Sequence, residues 1–134
     1  MNESNPALQA SRRSWHCVQN HLKEEWLALM AEDVVIEDPI GVSPLDPEGQ
    51  GHRGVAAAAT FWDRNIGPNQ IEVEVHDSYT GGDEVAHLMT LKTSFPHGGV
   101  AEVKGIFTYA VNDAGKIVAL RGYWEMSDIR LRAG

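Results

Sequence analysis

Between Pro6 and about Asn20, apolar residues return at helical spacing, with Leu8, Trp15, Val18 and Leu22 roughly on one face and Pro6 suited to a first turn. A second helical pattern runs from Lys23 to Glu32 through Trp26, Leu27, Leu29 and Met30, opened by Glu24 and Glu25 where the helix dipole favours acidic side chains. The β-branched run Val34, Val35 and Ile36 then predicts a short strand, stopped at Glu37-Asp38-Pro39 because proline cannot donate to a sheet ladder. From Ile40 to Gly54, prolines 44 and 47 and glycines 41, 49, 51 and 54 predict a loop. Val55 to Asn65 reads as a third helix carrying Phe61 and Trp62. The period then shortens to that of strands: Ile71–Val75, Val85–Phe95, Val100–Val111 and Ile117–Met126, joined by turn residues as consecutive hairpins. Three helices leading into a long, curved antiparallel sheet predict an α+β fold with the sheet wrapped around the helices, in one domain spanning residues 1–134.

Composition narrows the function classes. Hydrophobic residues make up 43% and charged residues 22%, an ordinary balance for a globular protein. The net charge of -8 and scattered basic residues argue against nucleic acid as a partner. No apolar run is long enough for a membrane span, and the first ten residues lack an export pattern. A single cysteine, Cys17, excludes an internal disulfide and fits a reducing cytoplasm. No metal-ligand spacing and no glycine-rich phosphate loop after a strand is present, so neither metal nor cofactor is expected.

The segment Leu29-Met30-Ala31-Glu32-Asp33-Val34-Val35-Ile36-Glu37-Asp38-Pro39-Ile40-Gly41 resembles the corresponding segment of bacterial ketosteroid isomerases, and Val111 to Trp124 resembles their final hairpin. The resemblance, to members of the nuclear transport factor 2-like (SnoaL-like) superfamily, covers nearly the whole chain. It implies a cone-shaped curved sheet with three helices around an apolar pocket, and a homodimer formed through the outer sheet face, where Val73, Tyr79 and Tyr109 would sit if they point outward. It also implies a catalytic base at Asp38, which would shuttle a proton between two carbons of a ketone. The ketosteroid isomerases hold the enolate oxygen with a tyrosine and a protonated aspartic acid. Here the tyrosine position falls on Ser14, or on Trp15 with one residue of slippage, and the aspartic acid position falls on Phe107. Both donors of that pattern are therefore replaced.

Strand parity and helical position assign Phe61, Met89, Leu91, Val103, Phe107 and Trp124, with Leu120, to the pocket wall beside Ser14 and Trp15. Trp15 has an indole N–H that could serve as a donor or simply fill the core. His87 shares the parity of Met89 and Leu91, so it either reaches the pocket or is a hydrogen-bonded core histidine. Gly105 and Gly122 mark either close approach of a ligand or a bend in the sheet. One carboxylate in a large apolar wall favours a neutral, steroid-like small molecule. Three functions fit: a steroid isomerase using Asp38, a non-catalytic steroid- or lipid-binding protein, and a SnoaL-type cyclase or dehydratase that could use His87.

Overall fold

The computed structural model describes residues 1–133. Helix α1 (Pro6–Gln19) begins where Asn5 caps it: the Asn5 side-chain oxygen accepts from the backbone N–H of Ala7 and Leu8 at 2.9 and 3.0 Å. The Asn5 amide also donates to the carbonyl of Gly82 at 2.8 Å, tying the helix start to a distant turn. The buried face of α1 holds Ala7, Leu8, Ala10, Ser11, Ser14 and Cys17, smaller residues than the Trp15 and Val18 stripe that periodicity favours. Small side chains let the helix lie close to the sheet, while Trp15 and Val18 are only partly buried.

Helix α2 (Lys23–Ala28) is shorter than its pattern predicts, because strand β1 (Met30–Glu37) starts four residues before Val34. The chain enters the sheet as soon as Met30 can pair with Ile117, so tertiary pairing overrides the helical preference of residues 30–32. Strand β2 (His52–Arg53) pairs with β1, helix α3 (Val55–Phe61) follows, and its last turn widens into a π turn over Trp62–Ile66. Strands β3 (Gln70–Gly81), β4 (Glu84–Ser94), β5 (Gly99–Val111) and β6 (Ile117–Tyr123) form successive antiparallel hairpins. Strand β7 (Arg130–Ala133), preceded by a 3₁₀ turn at Met126–Asp128, pairs with the start of β5.

The result is α+β, with a curved, unclosed sheet in the order β2-β1-β6-β5-β4-β3. The sheet is mixed rather than wholly antiparallel, since β1 runs parallel to β6. These two strands are separated by most of the chain, so no tight turn forces them to run in opposite directions. Their register sets Ile36 beside Leu120 and Glu37 beside Arg121, and the Ile40 N–H donates to the Gly122 carbonyl at 3.0 Å. The end of β1 is thereby fastened against the end of β6.

Trp26 and Phe107, each 1% exposed, anchor the core, with Ile36 and Ile117 fully buried. His87 is also fully buried, wedged between Ser11 Oγ at 3.0 Å and Ser78 Oγ at 2.6 Å. Ser11 already donates its proton to the Leu8 carbonyl at 2.8 Å, so it must accept from His87 Nε2–H, and Nδ1 then accepts from Ser78. Burial, aided by the Arg12 charge, lowers the His87 pKa to about 4 and keeps the ring neutral in this bridge.

Asn5 unites a helix cap with a long-range hydrogen bond. Asn5→Ala is expected to lower unfolding stability in urea by about 1–2 kcal/mol, and Asn5→Asp is expected to recover only the capping share, since it cannot donate to Gly82.

Candidate functional site

The side chains of Val34, Ile36 and Asp38 alternate onto the inner side of β1, and the first two are fully buried. Asp38 is the residue at which the chain leaves the sheet, and a cis peptide bond joins it to Pro39. Its Oδ1 accepts the Trp124 indole N–H at 2.6 Å. A Cβ at Gly122 would collide with Asp38 Oδ1 and lie 2.8 Å from Trp124 Nε1, so only glycine leaves room for this contact. Gly122 therefore reflects close packing of the site rather than a break in the strand.

Asp38 opens onto a cavity of about 470 Å³ between the helices and the inner sheet face. That volume falls in the range of pockets that hold small organic ligands, about 300–1,000 Å³. Ser14, Trp15, Phe61, Met89, Leu91, Val103, Phe107, Leu120 and Trp124 all line this same space with Asp38. Desolvation raises the Asp38 pKa from 3.8 to about 6, and the Trp124 hydrogen bond offsets only part of that rise. Asp38 Oδ2 takes no hydrogen bond among the described residues, which leaves it able to receive a proton.

Tyr109, a residue of the dimer face only if it points outward, is instead 3% exposed and lines the cavity. It shares the parity of Val103 and Phe107 on β5, and that alternation carries it inward. Val73 is likewise turned into the cavity, opposite Leu91 on β4, whereas Tyr79 is 67% exposed. The Tyr109 hydroxyl oxygen accepts the Trp15 indole N–H at 2.9 Å. Ser14 accepts the Trp26 indole N–H at 3.0 Å and offers its own hydroxyl to Tyr109. Burial holds the Tyr109 phenol well above the usual tyrosine range; the Trp15 and Ser14 donors work against that and the Asp38 charge reinforces it. With two donors facing its oxygen and no protein acceptor for its proton among the described residues, Tyr109 can donate to a ligand in the cavity.

The residues standing where the family has its tyrosine and aspartic acid thus have different work. Ser14 and Trp15 hold a tyrosine that comes from β5, and Phe107 is apolar wall. His87 is not among the cavity residues, and both its ring nitrogens are occupied by serines. The segment after β6 contributes Met126, Ile129 and Leu131 to the cavity rim. Among the described residues no cluster of histidine, cysteine or carboxylate side chains could hold a metal ion, and no helix is long and apolar enough to cross a membrane.

The sequence matches the SnoaL-like domain family over residues 11–120. Among solved structures, the chain is similar to the Δ5-3-ketosteroid isomerase from Mycobacterium sp., with 48% identity and a TM-score of 0.93 over 96% of this chain and 99% of that one. A Mycobacterium tuberculosis protein crystallised in complex with estradiol-17beta-hemisuccinate has 46% identity and a TM-score of 0.90, covering 95% of this chain and 99% of that one. A computationally designed 17-OHP binder has 43% identity and a TM-score of 0.93, covering 96% of this chain and 100% of that one. No curated protein matches the chain.

Two outcomes test this geometry. A raised folded-state pKa means that the Asp38 carboxyl favours folding below the unfolded value of 3.8 and that this contribution is lost as pH rises through about 6. Asp38→Asn is therefore expected to stabilise the protein by about 1–3 kcal/mol at pH ~8 and by little at pH ~4 in paired denaturant titrations; the His87 contribution is common to both proteins and cancels. Gly122→Ala is expected to push the Asp38 carboxyl off Trp124, seen as an upfield move of the Trp124 indole N–H proton resonance.

Proposed function

We propose that this chain, which belongs to the SnoaL-like domain family, binds a neutral steroid-like ketone and moves a proton between two of its carbons. The observation that carries the reading is that Asp38, a carboxylate held half desolvated, opens onto the same apolar cavity as the unspent hydroxyl proton of Tyr109. The similarity to a ketosteroid isomerase at 48% identity supports the class of substrate.

In a β,γ-unsaturated 3-ketosteroid, the carbon between the ketone and the double bond carries the acidic proton. Asp38 Oδ2 removes it, and the electron pair delocalises onto the ketone oxygen as a dienolate. Tyr109 donates its hydroxyl to that oxygen and Trp15 and Ser14 polarise the phenol from behind, a chain of donors that is most effective where water is excluded. The protonated Asp38 then returns the same proton to the far end of the dienolate, giving the conjugated ketone and restoring the carboxylate. Trp124 keeps Oδ1 fixed while Oδ2 carries the proton. A pKa near 6 suits this task, because the base is ionised at neutral pH yet binds a proton more strongly than an exposed aspartate would.

A second reading, a steroid-binding protein without turnover, is favoured by Phe107, which leaves the ketone oxygen with Tyr109 as its donor where the family has two.

Turnover of a β,γ-unsaturated 3-ketosteroid, followed by the absorbance of the conjugated product, separates the two. The isomerase reading expects turnover that rises with pH through about 6 to a plateau. Asp38→Asn should lower kcat by about 10²–10⁴-fold and Tyr109→Phe by about 10²–10³-fold. Binding without turnover in the wild type would establish the carrier reading, and absence of both would remove the steroid ligand.

A further inference from the structure

The register of the sheet orders the cavity wall into levels. On the inner side of β5, Tyr109, Phe107, Val103 and Ala101 follow one another outward, and all four line the cavity. Phe107 pairs with Gly122, which touches Asp38, so the carboxylate belongs to the inner levels. Farther out, Val103 pairs with Leu91, and Ala101 lies between Thr93 on β4 and Leu131 on β7. Eight residues of strand lead from Tyr109 to Ala101, about 26 Å at roughly 3.3 Å per residue. A steroid nucleus, from its ring-A ketone to ring D, is about 10 Å long at ordinary carbon–carbon bond lengths. With its ketone on Tyr109, such a nucleus leaves the levels of Val103 and Ala101 largely uncovered.

Along β5 and β7 those outer levels are apolar and short of cover. Leu131 is 76% exposed although its side chain borders the cavity, and Phe95 and Ile129, which border it too, are only half buried. Polar residues are present but ask for nothing specific. Asn65 Nδ2 donates to the Phe61 carbonyl and Asn69 Nδ2 to the Asn65 carbonyl, and each amide keeps a second N–H as well as its oxygen. Half buried and able both to donate and to accept, these amides and the Thr93 hydroxyl are within reach of water. Glu102 also borders the cavity, but its carboxylate accepts from Arg132 at 2.7 Å, and both share the outward parity of the exposed Lys104. Its charge is thus matched on the outer face of the sheet.

Resting on the steroid-like ketone reading above, we infer that the ligand still carries an alkyl side chain on ring D, opposite its ketone. The nucleus fills the inner levels, and the chain continues outward over Val103 and Leu91 to Leu131. There it covers apolar surface that the protein itself leaves open, and the gain comes from removing that surface and the chain together from water. The strand β7 that returns after β6 therefore extends the wall beyond the reacting end and sets the length of ligand the site prefers. A steroid without the chain meets the same base and the same donor but leaves Leu131 in water.

The probes are two conjugated 3-ketosteroids, one unsubstituted on ring D and one bearing a saturated, branched sterol side chain there. Each is supplied at known free concentration from cyclodextrin and titrated by tryptophan fluorescence. The wild type should bind the chain-bearing steroid at least about tenfold more tightly; full burial would give about fourfold for every methylene, and the outer levels are only half enclosed. Leu131→Ser should cut that ratio by about three- to tenfold, whereas Leu131→Met, which keeps the apolar contact, should hold it within about twofold. Leu131 is exposed enough for both variants to fold, and circular dichroism checks that they do. Equal affinity of the two steroids for the wild type, or tighter binding of the unsubstituted one, overturns the inference and leaves the ketone site standing. A ratio that Leu131→Ser leaves intact also overturns it, because the chain then lies elsewhere. Failure of both steroids to bind removes the steroid reading and this inference together.

Discussion

A carboxylate kept in an apolar wall has to be held by something other than water, and here the hydrogen bond from Trp124 Nε1 to Asp38 Oδ1 does it. The remainder of the site is arranged around that contact. Gly122 leaves the space for it, the parallel pairing of β1 with β6 brings the two chain segments together, and the Ile40 N–H on the Gly122 carbonyl fixes the corner. One donor satisfies one oxygen, and burial acts on the group as a whole, so the pKa settles near 6 rather than near 3.8. A second strong donor or a cation on Oδ2 would have lowered it and tied up the one carboxylate oxygen left open to the cavity.

Burial has the opposite use at Tyr109. A phenol that is hard to ionise remains a donor at any ordinary pH, and the Trp15 and Ser14 donors behind it strengthen the hydrogen bond it can offer. The two groups also act on each other, since the Asp38 charge favours the protonated phenol. Asp38, just past the end of β1, and Tyr109, on β5, are far apart in the chain, and the curved sheet brings both to one cavity. In a fold that hosts several functions, this pairing of a desolvated carboxylate with a polarised hydroxyl carries the functional argument.

Much of the architecture was legible because it rests on local periodicity and on turn residues. Pro6 and the spacing of α1, the hairpins at Gly81-Gly82, Pro96 to Gly99 and Asn112 to Gly115, and the stop at Asp38-Pro39 all appear where the pattern puts them. What escaped depends on pairing between distant segments: the early start of β1 at Met30, its parallel alignment with β6, and the return of residues 130–133 as a strand on β5. In the site, Asp38 and the apolar wall could be read from parity and resemblance. Tyr109 could have been read from the same parity that placed Phe107 inward, but its role as a donor depends on Trp15 and Ser14, which sit 94 and 95 residues earlier in the chain. No spacing rule links them. Ser11 escaped for a similar reason: on sequence it looks like an exposed helix residue, and it is buried against His87, which arrives from a distant strand to pair with it.

The claim that most needs testing is that Tyr109 donates to a ketone placed against Asp38. The carbonyl stretch of a bound conjugated 3-ketosteroid, isotopically labelled at the ketone and measured by infrared difference spectroscopy in the wild type and in Tyr109→Phe, tests it directly. A frequency well below that of the free steroid in alkane, returning most of the way toward it in Tyr109→Phe, is what this account expects. An unshifted carbonyl in the wild type, or a shift that Tyr109→Phe leaves intact, would contradict it.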